Sequence, residues 1–261
     1  MQKLFEKLTV EFRRHNGILT QEQFEYIIKH FSDLEEDRDI ALLILQASGY
    51  PIEFQDDRYI LSTYFRNYTN QKFCVIDIET NGSKPDNSQV IEIGAIMVED
   101  GEIVDKFESF VECAFLPEYI TKITGIEPSD LIDAPTQKEV LTKLREFIGD
   151  SIFVAHNVKF DYSFLNASFK RFGLGEIGNQ KLCTIDLAKR TFESQKYGLA
   201  YLIETLKLDA TSHHRAYSDA FCAYQVMKKS WQNVPHYVNS SDELLQFASS
   251  NRRTRREKKE S

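Results

Sequence analysis

The stretch Phe73-Cys74-Val75-Ile76-Asp77-Ile78-Glu79-Thr80-Asn81-Gly82 decides how this chain is read. Its first half is apolar and partly β-branched, the composition of a buried strand. Its second half places two carboxylates two residues apart, Asp77 and Glu79, with Ile78 between them. Side chains alternate faces along a strand, so the two acids point the same way while Ile78 turns to the opposite face. Like charges that close repel, and burying even one is costly. A strand that ends this way asks for a compensating cation.

The surroundings of that strand read as α/β. Three strands come first, KFCVIDIE, QVIEIGAIMVED and EIVDKFESFVEC, the last two joined as a hairpin at Glu99-Asp100-Gly101. The pattern then predicts a helix over 137–148, the strand SIFVAHN, a helix over about 162–172, a strand at 181–184, and helices over 199–206 and 216–231. A meander followed by alternating strands and helices implies a mixed sheet covered by helices.

Ahead of it, residues 2–14 have helical periodicity, and Thr20 with Gln23 match a capping box opening a helix to about His30. A third helix over about 36–47 and a hairpin, IEFQ and RYIL turning at Asp56-Asp57, complete the outline of a small α+β winged helix. We therefore expect a winged-helix-like unit over 1–68 and the α/β domain over 69–235. Residues 236–261 are expected to form a short amphipathic helix and a basic, disordered tail, NRRTRREKKES.

Charge separates these regions. The chain carries 32 basic and 40 acidic residues, a net −8, yet residues 251–261 hold 6 basic against 2 acidic. The tail reads either as a weak electrostatic grip on nucleic acid or an acidic partner, or as a solvated end. Residues 20–61 hold 3 basic and 10 acidic residues, a surface that would repel a duplex. The winged-helix-like unit is thus read as protein-docking or structural. Four scattered cysteines form no CxxC pair, and Cys74 and Cys183 read as buried reduced thiols. With no uninterrupted apolar run at the N-terminus and none long enough for a span, a soluble, cytoplasmic protein with no membrane association is expected.

Three further features repeat the oddity of the opening stretch. Asp161 follows the strand SIFVAHN at the start of a helix, Asp219 sits inside an otherwise apolar helix, and His214 lies five residues before it. Singly, Asp161 reads as a helix cap, Asp219 as an exposed helix residue and His214 as a loop residue. Together, four carboxylates at strand ends and helix starts share a site only around a divalent metal. Hard oxygen ligands select Mg²⁺ or Mn²⁺, and no HExxH or CxxC pattern supports zinc. Two such ions suit a phosphoryl transfer, and a histidine of ordinary pKa removes a proton from water at neutral pH.

DIE in FCVIDIETNG, then FVAHNVKFDYSFL, and H-x₄-D in HRAYSDA resemble the three exonuclease motifs of the DEDD family, histidine subclass. VIEIGAI and ITGI resemble two further family segments, and the resemblance runs from about residue 72 to 231. Within that family the chain resembles the epsilon-type proofreading subunits of bacterial DNA polymerase III. The resemblance implies a ribonuclease-H-like fold with a mixed five-stranded sheet and a metal-dependent 3′→5′ exonuclease.

It further implies that Asp77 bridges two divalent ions, that Glu79 and Asp219 complete the tighter site, and that Asp161 acts on the second ion. His214, at the four-residue spacing, is implied as general base ahead of its neighbour His213. Thr80 is expected to line the pocket for the terminal nucleotide, and Glu118 and Thr124 fall where relatives contact it, although many members carry histidine at the Thr124 position. Asn157 is read as a substrate contact or a hydrogen-bonded strand-end residue, and Phe160 and Tyr217 as core or pocket wall. The implied partners are a single-stranded or frayed 3′ end of DNA and a DNA polymerase catalytic subunit. Two alternatives stand beside this: an RNA 3′-end exoribonuclease of ribonuclease T or oligoribonuclease type, and a catalytically silent protein-binding module.

Overall fold

The computed structural model describes residues 1–31, 37–209 and 215–250. His213, His214 and the basic segment 251–261 lie outside the described residues. The chain opens with α1 (Gln2–Arg14), β1 (Ile18–Thr20), α2 (Gln21–Phe31), α3 (Arg38–Ala47), β2 (Ile52–Gln55) and β3 (Arg58–Leu61). The capping box is present: Gln23 N–H donates to Thr20 Oγ1 at 3.3 Å and Thr20 N–H to Gln23 Oε1 at 2.9 Å. Asp37 caps α3 by accepting from the Asp39 and Ile40 N–H groups. The expected hairpin turns through Asp56 and Asp57, both at positive φ. The three-residue β1, too short to show a period, adds a third strand in the order β1-β3-β2.

After α4 (Ser62–Phe65) and a short 3-10 turn come β4 (Phe73–Thr80), β5 (Val90–Glu99) and β6 (Glu102–Phe110). Next are α5 (Glu118–Thr124), α6 (Pro128–Ile132), α7 (Gln137–Ile148), β7 (Ile152–Ala155), α8 (Val158–Arg171), β8 (Lys181–Cys183) and α9 (Thr184–Thr191). The chain closes with α10 (Leu199–Leu206), α11 (Ala216–Trp231) and α12 (Ser241–Ser249). The five strands form one mixed sheet, β6-β5-β4-β7-β8, antiparallel on one side of β4 and parallel on the other. This is the α/β architecture expected from sequence. Asp100 and Gly101, both at positive φ, make the β5–β6 turn. Cys74 is fully buried as expected, but Cys183 is only half-buried.

Alternation along β4 sorts its side chains between two cores. Cys74, Ile76 and Ile78 pack with residues of α7 and α8. Phe73 and Val75 pack on the other face with Ala220, Ala223 and Met227 of α11. Asp77 and Glu79 continue that second face past the end of the apolar cluster. α12 belongs to the same layer, burying Leu244, Leu245 and Ala248, so residues 236–250, which were set apart by composition, extend the core.

The first 61 residues have their own core, from Leu4 and Phe12 to Tyr59 and Leu61. They are fastened to the rest by Gln2 Nε2 donating to Ile177 O at 2.7 Å, Gly178 N–H to Ser48 O at 2.6 Å, and Arg13 to Asp242 at 2.7 Å. Residues 177–178 precede β8, and Gly149, whose carbonyl oxygen would lie 2.6 Å from a Cβ at Gly49, precedes β7, so this seam lies at the N-terminal ends of the parallel strands. Their C-terminal ends lie on the opposite side, the usual place for a ligand in a sheet of this kind.

Candidate active site

Parallel pairing of β4 with β7 stops at Val75 and Val154. The last residues of β4 therefore lose one neighbour, and the edge so created is where the acids gather. Asp77 and Glu79 project from it, both half-buried, while Ile78 is 5 % exposed on the opposite face. Oxygens of Asp77, Glu79 and Asp219 lie within 4.8 Å of one another. Asp219 reaches them from the first turn of α11.

Asp161 arrives from the other face of the sheet. After β7, Asn157 takes a left-handed conformation, φ 78° and ψ 53°, which asparagine tolerates better than most residues. That turn starts α8 at Val158, four residues earlier than the periodicity predicts, and places Asp161 in its first turn. The Asp161 carboxylate is 3 % exposed and lies by the backbone of Ile78, which together with its own backbone favours the charged form. It thus occupies the edge of β4 that β7 has left.

The electrostatics show the strain of this grouping. Burial first, then the charges of Asp161, Asp219, Glu79 and Glu92, push Asp77 well above the usual carboxylate range. Burial and the neighbouring Asp219, Glu92 and Asp161 raise Glu79 to about 7. Burial likewise raises Asp161 to about 7, against the pull of those backbone groups. Without a cation these groups hold protons they would otherwise release at neutral pH. An all-oxygen donor set of convergent carboxylates, mutually repelling when unneutralised, fits a hard divalent ion and has no soft ligand for another kind.

Gly94 makes the arrangement possible, and the sequence reading passed over it. It is the cross-strand partner of Asp77. A Cβ there would lie 2.1 Å from Tyr217 N and 2.3 Å from the Ala216 carbonyl carbon. The backbone of α11 rests directly on β5 at this point, which brings Asp219 within reach of Asp77. The available signal was a lone glycine within an apolar strand, a mark of close backbone approach. Glu92, the cross-strand partner of Glu79, was also missed; it is 7 % exposed and bound to Arg215 at 2.8 Å.

The remaining sequence-selected residues fall as follows. Thr80 is buried at the end of β4, its hydroxyl donating to Gly82 O at 2.8 Å. Glu118 opens α5, exposed and paired with Lys122 at 2.6 Å. Thr124 is 4 % exposed, and its hydroxyl donates to Ile120 O at 3.0 Å and accepts from Ile126 N–H at 3.1 Å. Its polar capacity is spent inside the end of α5. Asn157 has an exposed side chain and makes the β7–α8 turn. Phe160 and Tyr217 pack partly buried against the two cores. His156 bonds through one ring nitrogen to Thr184 Oγ1 at 2.8 Å and through the other to Tyr197 O at 2.9 Å. Burial lowers it to about 4, so it stays neutral and fastens the end of β7.

Residues 74–227 match the exonuclease family model of RNase T type, and the chain belongs to that family. The PolC-type DNA polymerase III of Staphylococcus haemolyticus is 38% identical over 172 residues, covering 65% of this chain and 12% of that protein. The Staphylococcus aureus PolC-type DNA polymerase III is 34% identical over 194 residues, 73% of this chain and 13% of its own length. The chain thus corresponds to a small part of those polymerases. Among solved structures, an E. coli exonuclease I complex with single-stranded DNA superposes with TM-score 0.57 at 16% identity, covering 64% of this chain and 42% of that one. Exonuclease X bound to 5′-overhanging duplex DNA gives TM-score 0.54 at 24% identity, covering 68% and 99%. The fold is ribonuclease-H-like, as the motifs implied.

Proposed function

We propose that this protein is a divalent-metal-dependent 3′→5′ exonuclease acting on DNA, in the setting of proofreading beside a replicative polymerase. The convergence of Asp77, Glu79 and Asp219 within 4.8 Å carries this reading. Family membership and the similarity to PolC-type polymerases support it. Asp77, Glu79 and Asp219 would hold one ion, and Asp77 with Asp161 a second, Mg²⁺ or Mn²⁺. Bound there, the ions supply positive charge to the attacking and leaving oxygens of phosphodiester hydrolysis.

The chain's own residues do the rest. His214, outside the described residues, is assigned the general base that takes the proton of the attacking water, because its spacing to Asp219 fits the subclass motif. Thr80 would present its backbone to the terminal nucleotide, its hydroxyl being committed to Gly82 O. Glu118 and Asn157 have exposed side chains able to meet the strand. Thr124 is assigned a packing role beneath that surface.

The test gives the purified protein 5′-labelled single strands of DNA and RNA of equal length, with Mg²⁺ or with chelator. A metal-dependent ladder from the 3′ end of the DNA, faster than for RNA, is expected. Preference for RNA would replace the DNA assignment with the exoribonuclease reading. No cleavage of either strand would return the domain to a protein-binding role.

A further inference from the structure

Resting on the exonuclease reading above, we propose that Glu92 and Arg215 form a positioning clamp that seats the first turn of α11, and with it Asp219, against the acid pair on β4. Glu92 faces the same side of the sheet as Glu79, its cross-strand partner. A fifth carboxylate there, 7 % exposed, adds to the repulsion that raises Asp77 and Glu79. It is set apart from the other acids by its partners. Glu92 Oε1 accepts from Arg215 Nε at 3.0 Å and Nη2 at 2.8 Å, and Oε2 accepts from the N–H of Ala216 at 3.1 Å. Both oxygens are engaged by the start of α11. A guanidinium held in this forked way is oriented as well as attracted.

The clamp has a direct line to the metal acids. Arg215 O accepts from Asp219 N–H at 3.0 Å, the first turn of the helix. A shift of Arg215 therefore carries Asp219 with it. Gly94, two residues along β5 from Glu92, admits the backbone of Ala216 and Tyr217, so Glu92 pulls inward where Gly94 leaves room. The guanidinium also lies over the Phe110 ring at 5.2 Å on β6, tying α11 to a second strand. The same Arg215 charge opposes the rise in the Glu79 pKa. In sequence, Arg215 directly follows His214, so the clamp is the first described anchor after that residue.

The test compares Arg215→Met, Arg215→Lys, Glu92→Gln and the Glu92→Gln/Arg215→Met double variant in the full chain. Mn²⁺ binding is read by calorimetry, and kcat and KM on single-stranded DNA are read separately, with thermal melting as the check on folding. The clamp predicts weaker Mn²⁺ binding and a kcat lowered about 100-fold in Arg215→Met, as for an ångström-scale displacement, with KM changed less than threefold. Glu92→Gln, nearly isosteric, should move the same two quantities in the same direction. The double variant should be no worse than Arg215→Met, and Arg215→Lys should recover part of kcat. A rise in KM alone in Arg215→Met would make Arg215 a phosphate contact and overturn the clamp. So would unchanged Mn²⁺ binding in Glu92→Gln. Wild-type protein that binds Mn²⁺ but trims nothing would sink the exonuclease reading instead, and the binding series would still decide the clamp.

Discussion

Burial and four neighbouring carboxylates oppose the ionisation of Asp77 in the metal-free fold. Glu79 and Asp161, raised to about 7, and Asp77, raised well above the usual carboxylate range, bind protons in the folded state that the unfolded chain has released above about pH 4. Folding then takes up protons, so the contribution of these groups to stability falls as pH rises from about 4 through about 7. Asp77→Asn should relieve the crowding. We expect its metal-free melting temperature at pH 8 to rise by about 2–4 °C, the shift that roughly 1 kcal/mol gives in a chain of this size. The same variant should lose the stabilisation that Mn²⁺ gives the wild type. Since binding must displace protons, Mn²⁺ affinity of the wild type should weaken as pH is lowered from 8 to 6. Calorimetry across that range checks this, and a flat affinity would contradict the raised carboxylates.

Elements bring these residues together, and here the sequence was legible in parts. The α11 span, 216–231, is as expected, because its core-facing residues recur at helical spacing. The α7 span, 137–148, is likewise as expected, with Thr136 and Glu139 closing a capping box. The Asp77–Glu79 pair was readable because strand alternation alone puts both on one face. The start of α8 was misplaced, since a left-handed Asn157 is a backbone event that periodicity does not report. Helices α5 and α6 span only seven and five residues, too few to show a period, and α9 was unread although α10, equally long, was predicted. Gly94 and the Glu92–Arg215 pair were unread because their partners lie more than 120 residues away in the chain. Gly94→Ala tests the seat of α11: its Cβ has to push the helix backbone outward. An overpacking loss of about 3 kcal/mol is expected, with Mn²⁺ binding lost even where the protein remains folded. Denaturant unfolding and calorimetry measure the two effects.

Across the whole molecule, the N-terminal unit and the acid cluster occupy opposite ends of the parallel strands. Among the described residues no helix is long and apolar enough to cross a membrane. The seam between the unit and the α/β domain includes Arg13 bound through Nε and Nη2 to Asp242, which is fully buried. Arg13→Met removes the charge partner of that carboxylate, leaving it the Gln246 Nε2 donor at 2.7 Å, and should cost about 3 kcal/mol. Because the seam is remote from the acids, kcat of the folded variant should match the wild type; a large loss in kcat would show the two ends to be coupled. The most direct measurement of the central claim follows 5′-labelled single-stranded DNA with wild type and Asp77→Asn, each with Mg²⁺ and with chelator. The account predicts a ladder shortening from the 3′ end for wild type with Mg²⁺ alone. An equal ladder from Asp77→Asn, or one that survives the chelator, would contradict it.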